Sequence, residues 1–408
     1  MRNAPAISLM VILALFVYSF SITLVLSQNA TSQLIQMQGE ILYAQPQLRV
    51  NGLYLEDGLG NQVRLKGMQV GWPERMGVQG STGMAINPSQ TWFSLADVQR
   101  MKNAGSNCLE IHAIGLPELM PTKNVPGEAF FATWVDTWVN WCTQNQIYCI
   151  LSIRAPSAHA DWAIQLSLPS WLWQGLYSTP QTKADYDVII RDFFDTTVSK
   201  QDSNRAAFIN LWVYIANRYK GNPYTMFGLM NEPLIGANTI DDSTKNHLGQ
   251  TYSTFFGQVV DAIRNAGAQQ LIFIDIPYLF TSSGYAVQPI NKSNIVWETH
   301  QYITSYDNLQ TWKNDVDYDA NLFVTSFGKP LFLGEYGFDP PTVAHMDYPT
   351  TWQSLLASQV SYMDSKTGIV GRQFHCWDFM YGESADYPGG ESDFSSSESS
   401  YIIQIVLQ

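Results

Sequence analysis

The fold of this chain is decided by residues 225–233, T-M-F-G-L-M-N-E-P. A short apolar run that stops at turn-forming residues is typical of a strand buried on both faces. Pro233 cannot donate to a sheet ladder, so the strand has to end there. Glu232 therefore lies at the last rung of a buried strand, where ionising a carboxyl group is costly. That environment suits a general acid, and it suits equally well a structural Glu paired with a neighbouring cation.

A second stretch has the same construction and favours the catalytic interpretation. Residues 329–338 read K-P-L-F-L-G-E-Y-G-F, a short apolar strand that leads to Glu335 between Gly334 and Gly337. Two carboxyl groups at the ends of two buried strands are the basic equipment for glycoside hydrolysis. The pair therefore indicates a glycosidase.

Composition limits the class of protein. The chain has 408 residues and 46% apolar content, enough for one large domain or two ordinary ones. Its net charge is −13 and no basic run occurs, so we expect no nucleic-acid partner. Charged residues make up only 14%, which suits an extracellular or acidic setting. The four cysteines show no C-x-x-C spacing, so we expect no zinc site and interpret them as buried thiols.

The N-terminal segment is predicted to meet a membrane. Residues 6–26 carry no charge and, at about 21 residues, are long enough to span a bilayer as a helix. No short apolar core and no clear cleavage site are visible, so we favour an uncleaved anchor over a signal peptide for residues 1–26. Residues 27–44 are interpreted as a polar linker and residues 45–408 as the catalytic domain. Either interpretation places the domain outside the membrane, secreted or tethered.

Beyond residue 48 the pattern predicts small hairpins followed by strands in alternation with helices. Strands are predicted at residues 63–70, 107–111, 148–153, 226–230, 270–276, 295–300, 330–333 and 371–377. Helices are predicted at residues 94–104, 129–144, 183–219 (as two helices), 247–266 and 350–365. Eight strands in this order predict an α/β fold, a (β/α)8 TIM barrel whose N-terminal hairpins plug one end. A doubly wound open sheet is the second choice.

In such a barrel the carboxyl ends of all strands open onto one face, which carries the active site. Glu232 ends the fourth strand and Glu335 the seventh, so their side chains can meet across that face. A separation of about 5–5.5 Å between the carboxyl groups makes a glycosidase retaining, whereas about 6.5–9.5 Å leaves room for the water of an inverting enzyme. Both outcomes stay open from the sequence.

Neighbouring polar residues are assigned supporting roles. His300 and Tyr302 lie on one face of the sixth strand, so we expect Tyr302 to donate to Glu335 and His300 to orient Glu232. Asn231 offers an amide to a sugar hydroxyl. Tryptophan faces stack well on sugar rings, and Trp377 is the best candidate among five on the expected face, the others being Trp72, Trp162, Trp171 and Trp173.

A run of alternating acidic residues is interpreted as structural. Asp315, Asp317 and Asp319 have the spacing of calcium ligands, but they lack the glycine and the closing Glu of an EF-hand loop. We therefore predict a solvated acidic run at the start of a helix, and no metal site.

Four motifs together resemble glycoside hydrolase family 5. They are M-N-E-P at 230–233, H-Q-Y at 300–302, G-E-Y-G at 334–337 and the late Trp377, and the opening hairpin D-G-L-G-N-Q-V-R-L-K-G matches as well. The resemblance covers residues 48–381. It implies a TIM barrel that hydrolyses β-linked polysaccharides with retention, Glu232 as acid/base, Glu335 as nucleophile, and no cofactor.

Two positions depart from the family pattern. The second strand carries Glu110 where the family has an Arg that supports the nucleophile, and the third carries Arg154 where the family has a substrate-binding His. We expect Arg154 to reach Glu335 while Glu110 holds it in place, because each would be costly to bury alone. His112 would then supply the missing His. The alternative is a Glu110–Arg154 pair remote from the site.

The sequence thus predicts a membrane-tethered β-glycanase, with endo-β-1,4-glucanase as the preferred activity. A β-mannanase with the same mechanism is one alternative, and a catalytically impaired carbohydrate-binding barrel is the other. The expected partners are a polysaccharide or oligosaccharide substrate and the membrane, and the expected state is a monomer.

Overall fold

Eight parallel strands close into a barrel, which confirms the TIM-barrel prediction and rules out the open sheet. The order around the barrel follows the chain from β4 to β11, and β11 pairs with β4 to close it. Every predicted barrel strand overlaps one of these eight. In the part of the chain that the structure describes, the strands are β1 Arg49–Asn51, β2 Tyr54–Glu56, β3 Gln62–Val63, β4 Leu65–Gly71, β5 Cys108–Ile114, β6 Tyr148–Arg154, β7 Thr225–Asn231, β8 Ile272–Asp275, β9 Ile295–Ile303, β10 Leu331–Phe338 and β11 Ile369–Phe374.

This is a computed structural model that describes residues 47–71, 93–154, 168–233, 241–277, 286–303, 309–338, 351–375 and 396–407. Residues 48–408 form one compact unit. The predicted anchor and linker lie outside the described ranges, and so do Trp72, Trp162 and Trp377. Within the described ranges, no helix is long and apolar enough to cross a membrane.

Helices follow most of the barrel strands. They are α1 Leu95–Asn103, α2 Leu116–Leu119, α3 Glu128–Phe130, α4 Asp136–Gln144, α5 Lys183–Phe194, α6 Asp202–Tyr219, α7 Asp242–Asn265, α8 Leu309–Asp319, α9 Thr351–Ser365 and α10 Ser396–Leu407. The five predicted helical stretches are all present, including the division of residues 183–219 into two helices. A π-helical segment, Phe131–Val135, joins α3 to α4.

The N-terminal strands plug one end of the barrel, as predicted. β1 and β2 pair around the turn at Asn51 and Gly52, and β2 pairs with β3. Leu48 and Leu55 are 2% and 0% exposed and pack against apolar residues near the amino ends of the barrel strands. Because this end is sealed, the open mouth lies at the carboxyl ends of the strands, where TIM-barrel active sites lie.

Above this apolar plug the barrel interior turns polar. Successive side chains of a strand point to opposite faces, so a residue two positions after one that packs on the plug also points into the barrel. On β5, β8 and β9 these residues are Glu110, Asp275 and Glu298, all of them buried, and Gln69 and Gln373 are buried beside them. Carboxyl groups this deep are costly unless they are hydrogen-bonded or protonated. The polar layer therefore forms the floor of the mouth.

Candidate active site

A bulge in β10 turns Glu335 toward the mouth. Against β9, Leu333 pairs with Thr299 and Glu335 pairs with His300, so Gly334 is an extra residue in the ladder. The extra residue shifts the alternation by one position, which lets Glu335 share a face with His300. A Cβ on Gly334 would lie 1.7 Å from the Glu298 carboxylate. Any larger residue would have to displace the buried Glu298 side chain, which favours glycine at this position of the motif.

Glu232 follows directly after β7, in an uncommon backbone conformation. Its φ is +45°, in the left-handed region that costs a non-glycine residue on the order of 1–3 kcal/mol. The Glu232 backbone N–H donates to Asp275 Oδ2 at 2.7 Å. This charge-assisted hydrogen bond offsets part of the strain and fixes the direction of the Glu232 side chain.

The two carboxyl groups meet across the mouth. A carboxylate oxygen of Glu232, one of Glu335 and a ring nitrogen of His300 all lie within 4.8 Å of one another. This short gap between single carboxylate oxygens favours the spacing of a retaining glycosidase, about 5–5.5 Å, over the about 6.5–9.5 Å of an inverting enzyme.

His300 lies between four carboxyl groups. Its Nδ1 is 2.9 Å from Glu232 Oε1 and 3.5 Å from Glu335 Oε2. Its Nε2 faces Asp275 Oδ2 at 3.5 Å and Glu298 Oε1 at 3.7 Å. Burial alone would lower the pKa of His300, but the surrounding carboxylates outweigh burial and hold that pKa well above its usual value. The ring therefore contributes a positive charge at the centre of the site.

Tyr302 and His375 also lie close to the Glu335 carboxyl group. The Tyr302 hydroxyl donates to Glu335 Oε2, and the predicted contacts of Tyr302 and His300 are thereby both present. His375 Nδ1 lies 3.7 Å from the same oxygen and 2.6 Å from Gln69 Oε1. The His375 ring packs edge-on against Tyr302. Tyr302 thus supplies a hydrogen-bond donor to Glu335 Oε2, and His375 lies near the same oxygen; a donor of this kind suits a carboxylate that acts as a nucleophile.

The predicted pair of Glu110 and Arg154 is wrong. Glu110 is opposite Ile150 in the β5–β6 register, four residues before Arg154, so it lies deeper in the barrel. Gln69 Nε2 donates to Glu110 Oε2 at 3.1 Å, and the Gln373 amide, oriented by its hydrogen bonds, donates to the same oxygen at 2.7 Å. Glu110 thus belongs to the polar floor and contacts amides rather than a guanidinium.

The floor retains protons. Burial raises the pKa of Glu110 well above its usual value, and the nearby Glu298 adds to that rise. Burial likewise raises the pKa of Asp275 and of Glu298, and His300 opposes both rises. Protons are therefore shared within this layer at pH values where exposed carboxyl groups have lost theirs.

The other predicted site residues are placed as follows. Arg154 is half-buried at the end of β6, and its partner in the β7 register is Asn231. Asn231 is 6% exposed and ends β7 immediately before Glu232. His112 belongs to β5 and pairs with Gly71 in the β4 register. A direct role of Arg154 at Glu335 and of His112 and Asn231 in sugar binding stays a prediction.

Two tryptophans assigned to the sugar face pack into the protein. Trp171 is buried and its Nε1 donates to the Met120 carbonyl oxygen at 3.0 Å. Trp173 packs, partly buried, against the hydrophobic core. Trp72, Trp162 and Trp377 lie outside the described residues, so their predicted stacking on sugar stays a prediction.

The acidic run is not at the start of a helix, as predicted, but in the second half of α8. The prediction of solvation is also wrong for Asp319, which ends that helix with 1% exposure. Thr299 Oγ1 and Gln301 Nε2 donate to Asp319 Oδ2 at 2.6 and 2.9 Å. These donors point outward from β9, so Asp319 fastens α8 to the barrel strand that carries His300 and Tyr302.

Sequence reasoning missed three residues of the site: Asp275, Glu298 and His375. Each is a polar side chain within or directly after an apolar strand, the same signal that identified Glu232. The signal was available in F-I-D-I for Asp275 and in V-W-E-T-H for Glu298. By contrast, the residues that these three side chains contact depend on the register between neighbouring barrel strands.

Within the described residues, Glu232, His300 and Glu335 are also a set that could hold a metal ion. One imidazole and two carboxylates are ligands that divalent transition metals accept. In this structure Nδ1 of His300 is at hydrogen-bond distance from Glu232, so the same atoms also suit proton sharing. Both chemistries are compatible with the donor set.

A TIM barrel with two facing carboxyl groups in its mouth defines a glycosidase-like protein. The sequence profile of Cellulase (glycosyl hydrolase family 5) matches residues 63–378. The chain therefore belongs to glycosyl hydrolase family 5, a family of retaining O-glycosyl hydrolases.

Comparison with individual proteins gives distant relatives. Endoglucanase EG-II of Hypocrea jecorina is 30% identical over a segment that covers 26% of this chain and 26% of that protein, so the match spans about a quarter of the relative. Among solved structures, an endogalactoceramidase has a TM-score of 0.65 at 18% identity, covering 89% of this chain and 85% of that one. An endo-β-1,4-glucanase of Xanthomonas axonopodis pv. citri has a TM-score of 0.54 at 17% identity, covering 85% and 99%. These structures share the fold.

Proposed function

We propose that this protein is a retaining endo-β-1,4-glucanase, with Glu232 as acid/base and Glu335 as nucleophile. The short gap between the two carboxylates carries the proposal, because it fits double displacement. Glu335 attacks the anomeric carbon while Glu232 protonates the leaving oxygen, giving a glycosyl-enzyme. Glu232 then takes a proton from water, and the water releases the sugar from Glu335.

The surroundings support this assignment of roles. Tyr302 donates to Glu335, and the His300 ring contacts both carboxyl groups. Donors on Glu335 stabilise its charged form, which a nucleophile needs. Glu232 follows directly after a buried strand and shares a hydrogen bond with His300, which suits a group that must carry a proton to the leaving oxygen.

The glucan assignment rests on the relatives. The Cellulase profile and the Hypocrea jecorina endoglucanase both favour a β-glucan over a β-mannan. A glycosylceramide is the second candidate substrate, because an endogalactoceramidase has a TM-score of 0.65 and endo-glycoceramidase II of Rhodococcus sp. reaches 0.63, both above the 0.54 of the bacterial glucanase. At 15–18% identity those structures support the barrel rather than the substrate.

Hydrolysis assays decide among these functions. We expect soluble cellulose to be cleaved faster than mannan or a glycosylceramide, and Glu335→Gln to abolish cleavage. Because double displacement needs no metal, EDTA should leave the rate unchanged. Faster cleavage of the glycosylceramide would replace the glucanase proposal. Sugar binding without turnover by the wild-type protein would show a carbohydrate-binding barrel instead.

We also propose that the enzyme acts outside the cell, held at the membrane by residues 6–26. The support is the uncharged length of that segment and the low charged fraction of the chain, 14%. Full-length protein should then fractionate with membranes and resist a carbonate wash. A mature N-terminus at residues 27–32 would show a cleaved signal peptide.

A further inference from the structure

Asp275 lies beneath the site on β8 and has no part in the chemistry described above. Its side chain is 4% exposed, and Oδ2 has two neighbours, the Glu232 backbone N–H at 2.7 Å and His300 Nε2 at 3.5 Å. Asp275 Oδ2 thus contacts both the main chain of Glu232 and the His300 ring, and that ring in turn contacts the Glu232 carboxyl group.

The two contacts fix different parts of Glu232. The first holds its backbone, which needs holding because φ is +45°. The second reaches its side chain through His300, whose Nδ1 is 2.9 Å from Glu232 Oε1. Which nitrogen of an imidazole carries a proton depends on the partner of the other nitrogen. A carboxylate at Nε2 thereby also determines what Nδ1 can offer to Glu232.

Asp275 is itself held from outside the barrel. The hydroxyl of Tyr252, on α7, donates to the Asp275 backbone carbonyl oxygen. Tyr252 is fully buried, so this contact is shielded from water. The strand end that carries Asp275 is therefore anchored to a long helix, which gives its carboxylate a defined position.

We propose that Asp275 is the positioning residue of this active site, holding the main chain of Glu232 by a hydrogen bond and facing the His300 ring with the same carboxyl oxygen. This inference rests on the function proposed above. It predicts that replacing the Asp275 carboxyl group impairs proton delivery to the leaving group and leaves the nucleophile in place.

The groups that act on His300 come from every neighbouring strand. They are Glu232 on β7, Asp275 on β8, Glu298 on β9, Glu335 on β10 and, at longer range, Glu110 on β5. Among these five groups, Asp275 is the one whose carboxyl oxygen also accepts from the Glu232 backbone N–H.

The kinetic test compares two aryl β-cellobiosides in Asp275→Asn. The phenyl glycoside has a poor leaving group and needs the acid, whereas the dinitrophenyl glycoside leaves without protonation. We expect kcat/KM to fall roughly 10- to 100-fold for the phenyl substrate, part of the contribution of general acid catalysis, and less than about threefold for the dinitrophenyl substrate. Equal losses with both substrates, or no loss with either, would overturn the proposal.

Asp319→Asn is the matched control. It makes the same change at another buried carboxyl group that contacts β9, but on the outside of the barrel. In Asp319→Asn, any change in kcat/KM should be the same for the phenyl and the dinitrophenyl substrate. If it shows the same dependence as Asp275→Asn, the effect belongs to β9 in general, and Asp275 has no special role.

A spectroscopic test does not require catalytic turnover. The chain has 6 histidines, so histidine-selective ¹⁵N labelling gives a resolvable set, and His300→Asn identifies the His300 signals. In the wild-type protein both ring nitrogens should be protonated at pH 7, and Asp275→Asn should shift the signal of Nε2, the nitrogen that faces Asp275 Oδ2. An unprotonated Nε2 on His300 of the wild-type protein would overturn the proposal even if Asp275→Asn fails to fold. A wild-type protein that shows the expected ring and cleaves neither glycoside would refute the proposed function and leave the placement of Asp275 standing.

Discussion

Nδ1 of His300 lies 2.9 Å from Oε1 of Glu232. The same nitrogen is 3.5 Å from Glu335 Oε2, so one ring contacts both carboxyl groups of the mouth. Glu232 and Glu335 are therefore coupled through a shared cation, and a change in the charge of either should affect the other. Deeper carboxyl groups hold that ring from below, which makes the floor of the barrel part of the site.

Tyr302→Phe should reduce kcat with little change in KM. The substitution removes the hydroxyl that donates to Glu335 Oε2 and keeps the ring. Loss of one preorganised donor at a reacting carboxylate should lower kcat by roughly 10- to 100-fold. Steady-state kinetics on an aryl β-cellobioside measure the effect. Tyr318→Phe is the control, because Tyr318 is 54% exposed on α8. An unchanged kcat in Tyr302→Phe would show that Glu335 does not depend on this donor.

Gly334→Ala should destabilise the fold and inactivate the enzyme together. The new Cβ would lie 1.7 Å from Glu298 Oε1, and overpacking of this kind costs about 1–3 kcal/mol. Displacing Glu298 also disturbs His300, its neighbour at 3.7 Å. Gly257→Ala is the control, because no atom lies within 4 Å of its added Cβ inside α7, and it should stabilise the helix by about 0.5–1 kcal/mol. Urea unfolding measures both variants, and a stable, active Gly334→Ala protein would contradict this account of the bulge.

Asp319→Asn should change the pH dependence of stability. Burial raises the pKa of Asp319 to about 7, above the value of about 3.9 for an unfolded chain. The folded state therefore holds this proton more tightly, so ionisation lowers the free energy of unfolding as the pH rises from about 4 to about 7, by at most about 4 kcal/mol. The Asn variant has no such proton, and its oxygen can still accept from Thr299 and Gln301.

The melting temperature of Asp319→Asn relative to wild type should thus increase between pH 5 and pH 8. Asp317→Asn is the control on the same helix, because Lys366 and Tyr362 hydrogen-bond to Asp317 and keep its pKa below the usual value. Its difference from wild type should stay constant over this range. A constant difference for Asp319→Asn as well would mean that the buried carboxyl group is already ionised at pH 5.

Local sequence patterns explain why the barrel and the facing carboxyl groups could be predicted. Apolar runs that end at polar residues mark buried strands, and the alternation of side chains along a strand places His300 and Tyr302 on one face. Both patterns act within a few residues. Glu232 and Glu335 were accordingly found from their own strands, without knowledge of any neighbour.

Residue partners depend on strand register and were harder to predict. Glu110 was paired with Arg154 because the strands are neighbours, but the register sets Glu110 beside Ile150 instead. The exposed-looking run at Asp319 is buried because Thr299 and Gln301 supply donors from a strand 18 to 20 residues earlier. Such contacts have no local sequence signal, since a buried charge and a solvated charge look the same along the chain.

The anomeric configuration of the first product tests the central claim, that Glu232 and Glu335 perform a double displacement. The wild-type enzyme is mixed with a soluble cello-oligosaccharide, and proton NMR follows the new reducing end before mutarotation. Two inversions at the anomeric carbon should release the β-anomer first, with the α-anomer appearing later at the rate of mutarotation. Initial release of the α-anomer would contradict the account, because it would show a single displacement by water and no attack by Glu335.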